Sequence, residues 1–173
     1  MTSEKEVNMT SKDVKLIKEM LQMQSKLDEE IMKVHKLTEI KQKQLELAIL
    51  DEIGELTHEL KGSWCWWKFT QKPVNDEKVL GELVDIWHFV LSYTYNFCDI
   101  RFTNIDFMVE IGINTCEQEG LACLLANIIN AEYANKLFYL IAVSMCLGFT
   151  IEDVYKAYCD KNKVNYKRLE SRY

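Results

Sequence analysis

Two acidic pairs stand in apolar helical surroundings, Glu52-Ile-Gly-Glu55 and Glu82-Leu-Val-Asp85. A three-residue spacing puts both carboxylates of a pair on one helix face. The first pair is flanked by Ile49, Leu50, Ile53 and Leu56, and the second lies in the run Leu80 to Leu91. A helix that is apolar nearly all round is buried, and unpaired carboxylates there are costly. Carboxylates converging between two such helices repel by roughly 3 kcal/mol per pair at about 5 Å and an effective dielectric near 20. The pattern calls for cations, and all-oxygen ligation favours Mg²⁺, with Mn²⁺ as its nearest substitute, over zinc or copper. The competing reading is a solvated acidic face, which Glu59 would extend. It suits the first pair better than the second, because Leu83 to Leu91 leaves little polar face.

Two further segments bear on chemistry. Residues 62–74 form a loop with three tryptophans, Trp64, Trp66 and Trp67, beside Lys68. A loop is a poor place for a core, and aromatics next to a lysine suit base stacking with a phosphate contact. Near the C-terminus, Lys161, Asn165, Arg168 and Arg172 follow helical spacing. Alone they would be a solvated basic face; opposite an acidic metal site they can grip a polyphosphate. His88 lies on an apolar helix, where a histidine is more often a hydrogen-bonded core residue than a ligand.

The elements that must position these groups read as α throughout. Residues 1–10 are a flexible polar tail and 11–173 a single domain. Ser11 caps a first helix to about Lys36, Thr38 opens a second to about Lys61, and Gly62 stops it. Asn75 or Asp76 caps a third helix to about Cys98. Periodicity weakens over 99–115, which predicts an irregular or short-helical connection. A long helix near 117–147 follows, ended by Gly148, and Thr150 caps a last one over 151–170. One proline and six glycines in 173 residues favour long helices over a turn-rich β architecture.

A net charge of −6 leaves no basic footprint for polymeric nucleic acid. It does not exclude a nucleotide, because bound metal inverts the local field. The six cysteines show no C-x-x-C spacing, which argues against zinc and for reduced, half-buried fillers. Neither a signal-peptide core nor a membrane-length apolar run is evident, so the expectation is a cytoplasmic protein without a membrane partner.

The two acidic pairs, the run Glu82-Leu-Val-Asp-Ile-Trp-His-Phe-Val-Leu-Ser92, Trp67-Lys68, the tail Lys161-Asn162-x-x-Asn165-x-x-Arg168 and the opening Leu21 to Glu30 resemble the dimeric dUTPases. These form a branch of the all-α nucleoside triphosphate pyrophosphatase superfamily, and the matches run from about residue 20 to the end. The resemblance implies an all-α helical bundle assembled as a homodimer that hydrolyses dUTP to dUMP and pyrophosphate with Mg²⁺, with dUDP a further candidate substrate. It implies that Glu52, Glu55, Glu82 and Asp85 hold the metal and that Glu52 also orients or deprotonates the attacking water. Lys68, Lys161, Arg168 and Tyr173 would meet phosphate, and Asn162 or Asn165 the deoxyribose. Gln24 would read the base, with Trp67 nearby. Asp28 departs from the asparagine that several members carry. An ionised Asp only accepts hydrogen bonds, which raises the alternative of dCTP or broader nucleotide hydrolysis. A non-catalytic helical interaction protein on the same scaffold is the third alternative, and it has no use for the acidic quartet.

Overall fold

The computed structural model describes residues 9–132 and 134–171. Among them the structure is all-α, with no strand. Helices α1 (Ser11–His35), α2 (Gln42–Glu59), the single turn α3 (Lys61–Trp64) and α4 (Asp76–Phe97) are followed by a 3₁₀ turn at Phe102–Asn104. Then come α5 (Ile105–Glu119), α6 (Leu121–Asn130), α7 (Asn135–Cys146) and α8 (Ile151–Ser171). α4 is the hub: α2, α1, α8 and α7 all pack on it, while α5 and α6 flank α7. Its sequence explains that position, because Val79, Leu83, Val84, Ile86, Trp87, Val90 and Leu91 are all buried and cover most of its circumference. Even the Trp87 indole finds a partner inside, donating to Ser144 Oγ at 3.0 Å.

Local chemistry sets the helix ends. α1 begins at a capping box in which Thr10 Oγ1 accepts from the Asp13 amide at 3.1 Å and the Asp13 carboxylate accepts from the Thr10 amide at 3.0 Å. The cap is therefore Thr10, not Ser11. Thr150 and Asp153 repeat the device at α8 with the same two distances, as expected for Thr150. Of the two candidates, Asn75 and Asp76, it is Asn75 that caps α4, accepting from the Lys78 amide. α2 starts at Gln42, four residues later than Thr38, because Lys36 takes a left-handed conformation that ends α1 and the chain crosses 38–41 before turning helical.

Three expectations fail for tertiary reasons. Gly62 does not stop a helix; it lies inside α3, where an added Cβ would sit 2.9 Å from the Lys72 carbonyl, so the glycine lets the aromatic loop fold back closely. Residues 105–119 form a full helix, since Ile105, Val109 and Gly112 make a narrow buried stripe against α7. The expected long helix at 117–147 is broken twice. Gly120, at φ 87°, turns the chain between α5 and α6, and α6 ends at Asn130 before α7 begins at Asn135. The carbonyls of Ile128 and Ile129 at the end of α6 accept from the buried Lys136 ammonium at 2.9 Å each, so this lysine caps a neighbouring helix from within the core. All six cysteines are free thiols. No single described helix is long and apolar enough to cross a membrane.

Candidate active site

A cavity of about 1200 Å³ lies between α1, α2, α4 and α8. Glu52, Asp85 and Lys161 line one part of it; Gln24, Asp28, His88 and Ser92 line another, and Asn165 and Arg168 close the α8 side. Asp85, His88 and Ser92 share one face of α4 at spacings of three and four. Seven residues of helix rise about 10 Å, so this face runs from a charged end to a neutral polar end.

At the charged end, α2 and α4 bring one oxygen each of Glu52, Glu82 and Asp85 within 4.8 Å of one another, a group that could hold a metal ion. Glu52 Oε2 is buried and accepts no hydrogen bond. Burial, then the charges of Asp85, Glu55 and Glu82, push the Glu52 carboxyl up to about 7. Glu82 is also raised, by burial first and then by Glu55 and Asp85. Glu55 is more exposed than the other three and stands beside Glu82. From α8 the Lys161 ammonium reaches Asp85 Oδ2 at 2.5 Å, a partly buried ion pair that supplies one positive charge to the cluster. An orphaned buried oxygen among crowded hard donors is the setting that suits an oxygen-seeking divalent cation.

The other end is a connected hydrogen-bond network. Asp28 Oδ1 accepts from Gln24 Nε2 at 2.7 Å, and Asp28 Oδ2 accepts from Ser92 Oγ at 2.6 Å and Asn96 Nδ2 at 3.0 Å. Gln24 Oε1 accepts from Tyr158 OH at 2.9 Å and faces His88 Nδ1 at 2.7 Å. The His88 ring stacks on Tyr158, with centroids 4.2 Å apart and planes at 20°. Burial drives the His88 imidazolium down to about 3, so the ring is neutral. Its Nε2 is buried without a partner. His88 is thus the hydrogen-bonded buried residue its sequence context suggests, and it also lines the cavity. The sequence signal for that second role is its place one turn past Asp85 on the same face. Asp28, read from sequence as a group facing the base, has its oxygens engaged by three internal donors.

The structure treats the remaining sequence-picked residues unevenly. Asn165 and Arg168 line the cavity, while Asn162 is buried nearby with Nδ2 unpartnered and is not among the lining residues. Trp67 and Lys68 lie outside the cavity lining, in the exposed loop after α3, where Trp67 makes edge contacts with Trp64 and Trp66. Tyr173 and Arg172 lie outside the described residues.

An all-α bundle that opposes helix-borne carboxylates to basic side chains across one cavity has the architecture of a phosphate-handling hydrolase. A family model described as dUTPase matches residues 16–173. Comparison with curated proteins gives no match. The family model covers nearly the whole length, so the chain belongs to the dUTPase family, and with that family goes dUTP diphosphatase activity.

Proposed function

We propose that the cavity hydrolyses dUTP to dUMP and pyrophosphate, with Mg²⁺ as the physiological ion and Mn²⁺ able to replace it, held by Glu52, Glu82 and Asp85 with Glu55 alongside. The observation that carries this reading is the polarity of the cavity. Crowded carboxylates line one end and a hydrogen-bonding network around a single, fully engaged carboxylate the other, about 10 Å apart along α4, the reach from a nucleotide's phosphates to its base. When bound, the ion neutralises the phosphates and lowers the pKa of a water. Glu52 is the general base as well as a ligand: its Oε2, which accepts no hydrogen bond within the protein, is the oxygen that would orient or deprotonate the attacking water. Lys161 and Arg168, from one face of α8, stabilise the phosphate oxygens, and Asn165 between them meets the sugar. At the network end, Asp28 holds Gln24 and Gln24 holds His88, whose Nε2, buried and without a partner in the protein, is the group left to meet the base.

The apolar side chains left exposed on α2, Leu47 and Leu50, and on the loop, Trp66 and Phe69, give a second copy surface to cover, consistent with a homodimer. Lys68 and Trp67 would reach a nucleotide only through movement of that loop or from a second copy. Light scattering at micromolar concentration tests the dimer: a monomer mass would refute it.

Release of pyrophosphate from dUTP, dCTP and the common nucleoside triphosphates, and of phosphate from dUDP, with Mg²⁺, Mn²⁺ or chelator, tests the reaction. Hydrolysis of dUTP above the rest, lost with chelator, is expected. Asp85→Asn should cut kcat at least 100-fold while helicity by circular dichroism is kept. Near-wild-type turnover in that variant would refute the site.

A further inference from the structure

The network around Asp28 leaves each polar group one orientation. The backbone carbonyl of Ser92 only accepts, and it takes a hydrogen bond from Asn96 Nδ2 at 2.8 Å, so the Asn96 amide is pinned with its NH₂ toward Asp28. Asp28, receiving donors from Asn96, Ser92 and Gln24, is the acceptor-only carboxylate. That forces the Gln24 NH₂ toward Asp28 and turns Gln24 Oε1 toward Tyr158 and His88. An amide oxygen cannot donate, so the proton of the neutral His88 ring must sit on Nδ1. The ring atom left over is a bare Nε2 lone pair, buried and without a partner inside the protein, on a residue that lines the cavity.

We propose that Asp28 is a positioning residue for base selectivity: through Gln24 it fixes the His88 tautomer, so that Nε2 accepts the ring N–H of uracil and rejects cytosine, whose corresponding ring nitrogen carries no proton. This rests on the dUTP reading above and adds the residue that decides the base. Asp28 itself touches no base; the selectivity is relayed over two side chains. Replacing Asp28 by Asn should reverse the whole relay. The pinned Asn96 amide requires the new side-chain oxygen at the Oδ2 position, which places the new NH₂ opposite Gln24 Nε2. Two donors then face each other, so the Gln24 amide rotates. Tyr158, which can donate instead to the Met20 carbonyl 3.3 Å away, accepts from the Gln24 NH₂. His88 moves its proton from Nδ1 to Nε2 with no change in charge and presents a donor to the base.

Two measurements on the full chain test this. Long-range ¹H–¹⁵N correlation spectra should show His88 Nδ1 as the protonated and Nε2 as the bare nitrogen in wild type, with the assignment exchanged in Asp28→Asn. A merely structural role of Asp28 would not predict that exchange, and Ser92→Ala, which removes a donor from the far oxygen of Asp28, should leave the tautomer as in wild type; an exchange there too would overturn the relay. The ratio of kcat/KM for dUTP over dCTP should fall roughly 10- to 100-fold in Asp28→Asn, the range for one hydrogen bond replaced by an unpaired group. A protonated Nε2 in wild type overturns the inference even if the variant fails to fold. So does an unchanged tautomer in Asp28→Asn, whatever happens to the ratio. Wild-type protein inactive on both nucleotides would sink the functional reading and the selectivity with it, while the spectra would still decide the relay.

Discussion

Glu52→Gln should make the metal-free protein more stable while abolishing turnover. In the folded state the Glu52 carboxyl is raised from its ordinary 4.5 to about 7 by burial and by Asp85, Glu55 and Glu82. A fully buried group shifted that far would cost the fold about 3 kcal/mol when ionised. Glu52 is only partly buried, so solvent screening cuts this to about 1–2 kcal/mol. Because the folded state holds the proton more tightly than the unfolded one, stability falls as pH rises from 4.5 to 7, and the penalty is fully present above 7. Gln keeps the shape, removes the charge and can donate to the neighbouring carboxylates. For a chain of this length the gain corresponds to a Tm about 2–8 °C higher in chelator at pH 8. Calorimetry at pH 8, 6.5 and 5 would show the gap between variant and wild type narrowing as pH falls. Added Mg²⁺ should raise the wild-type Tm and the variant's by less, since Glu52 no longer contributes a charged ligand. A Glu52→Gln protein equal to or less stable than wild type at pH 8 in chelator would refute the electrostatic account of the cluster.

Two further outcomes follow from the same geometry. Lys161→Met leaves Asp85 without its ammonium partner among like charges, so the metal-free protein should lose about 1–2 kcal/mol and several degrees of Tm, with Mg²⁺ restoring most of the loss; a melt with and without the ion decides it. Gly112→Ala puts a Cβ 2.6 Å from that of Ala142 between α5 and α7, so thermal melts should show about 1–3 kcal/mol of destabilisation, while kcat at 25 °C stays near wild type because neither helix lines the cavity.

The α class, the burial of the helix Asp76–Phe97 and the acidic cluster were legible in the chain because periodicity and carboxylate spacing are local properties. Carboxylates three apart share a helix face wherever that helix goes, and Leu80 to Leu91 could only be buried. Helix ends set by side-chain caps, at Asn75 and Thr150, were equally legible. The break at Gly120 and the helix at 105–119 were not, because contacts with α7 decided them: Gly112 matters only for what it faces. The same division runs through the site. The family resemblance singled out Gln24 and Asp28, and the apolar helix around His88 marked it as a buried hydrogen-bonded residue, each one at a time. Only the packing of α1, α4 and α8 joined His88 and Tyr158 to Gln24, and it turned Asp28 from a group read as facing a base into one engaged by three internal donors. Hydrogen-bond direction is a property of the assembled network, so the lone pair left on His88 Nε2 was decided by the tertiary structure, while the carboxylates that demand a cation were written in the chain.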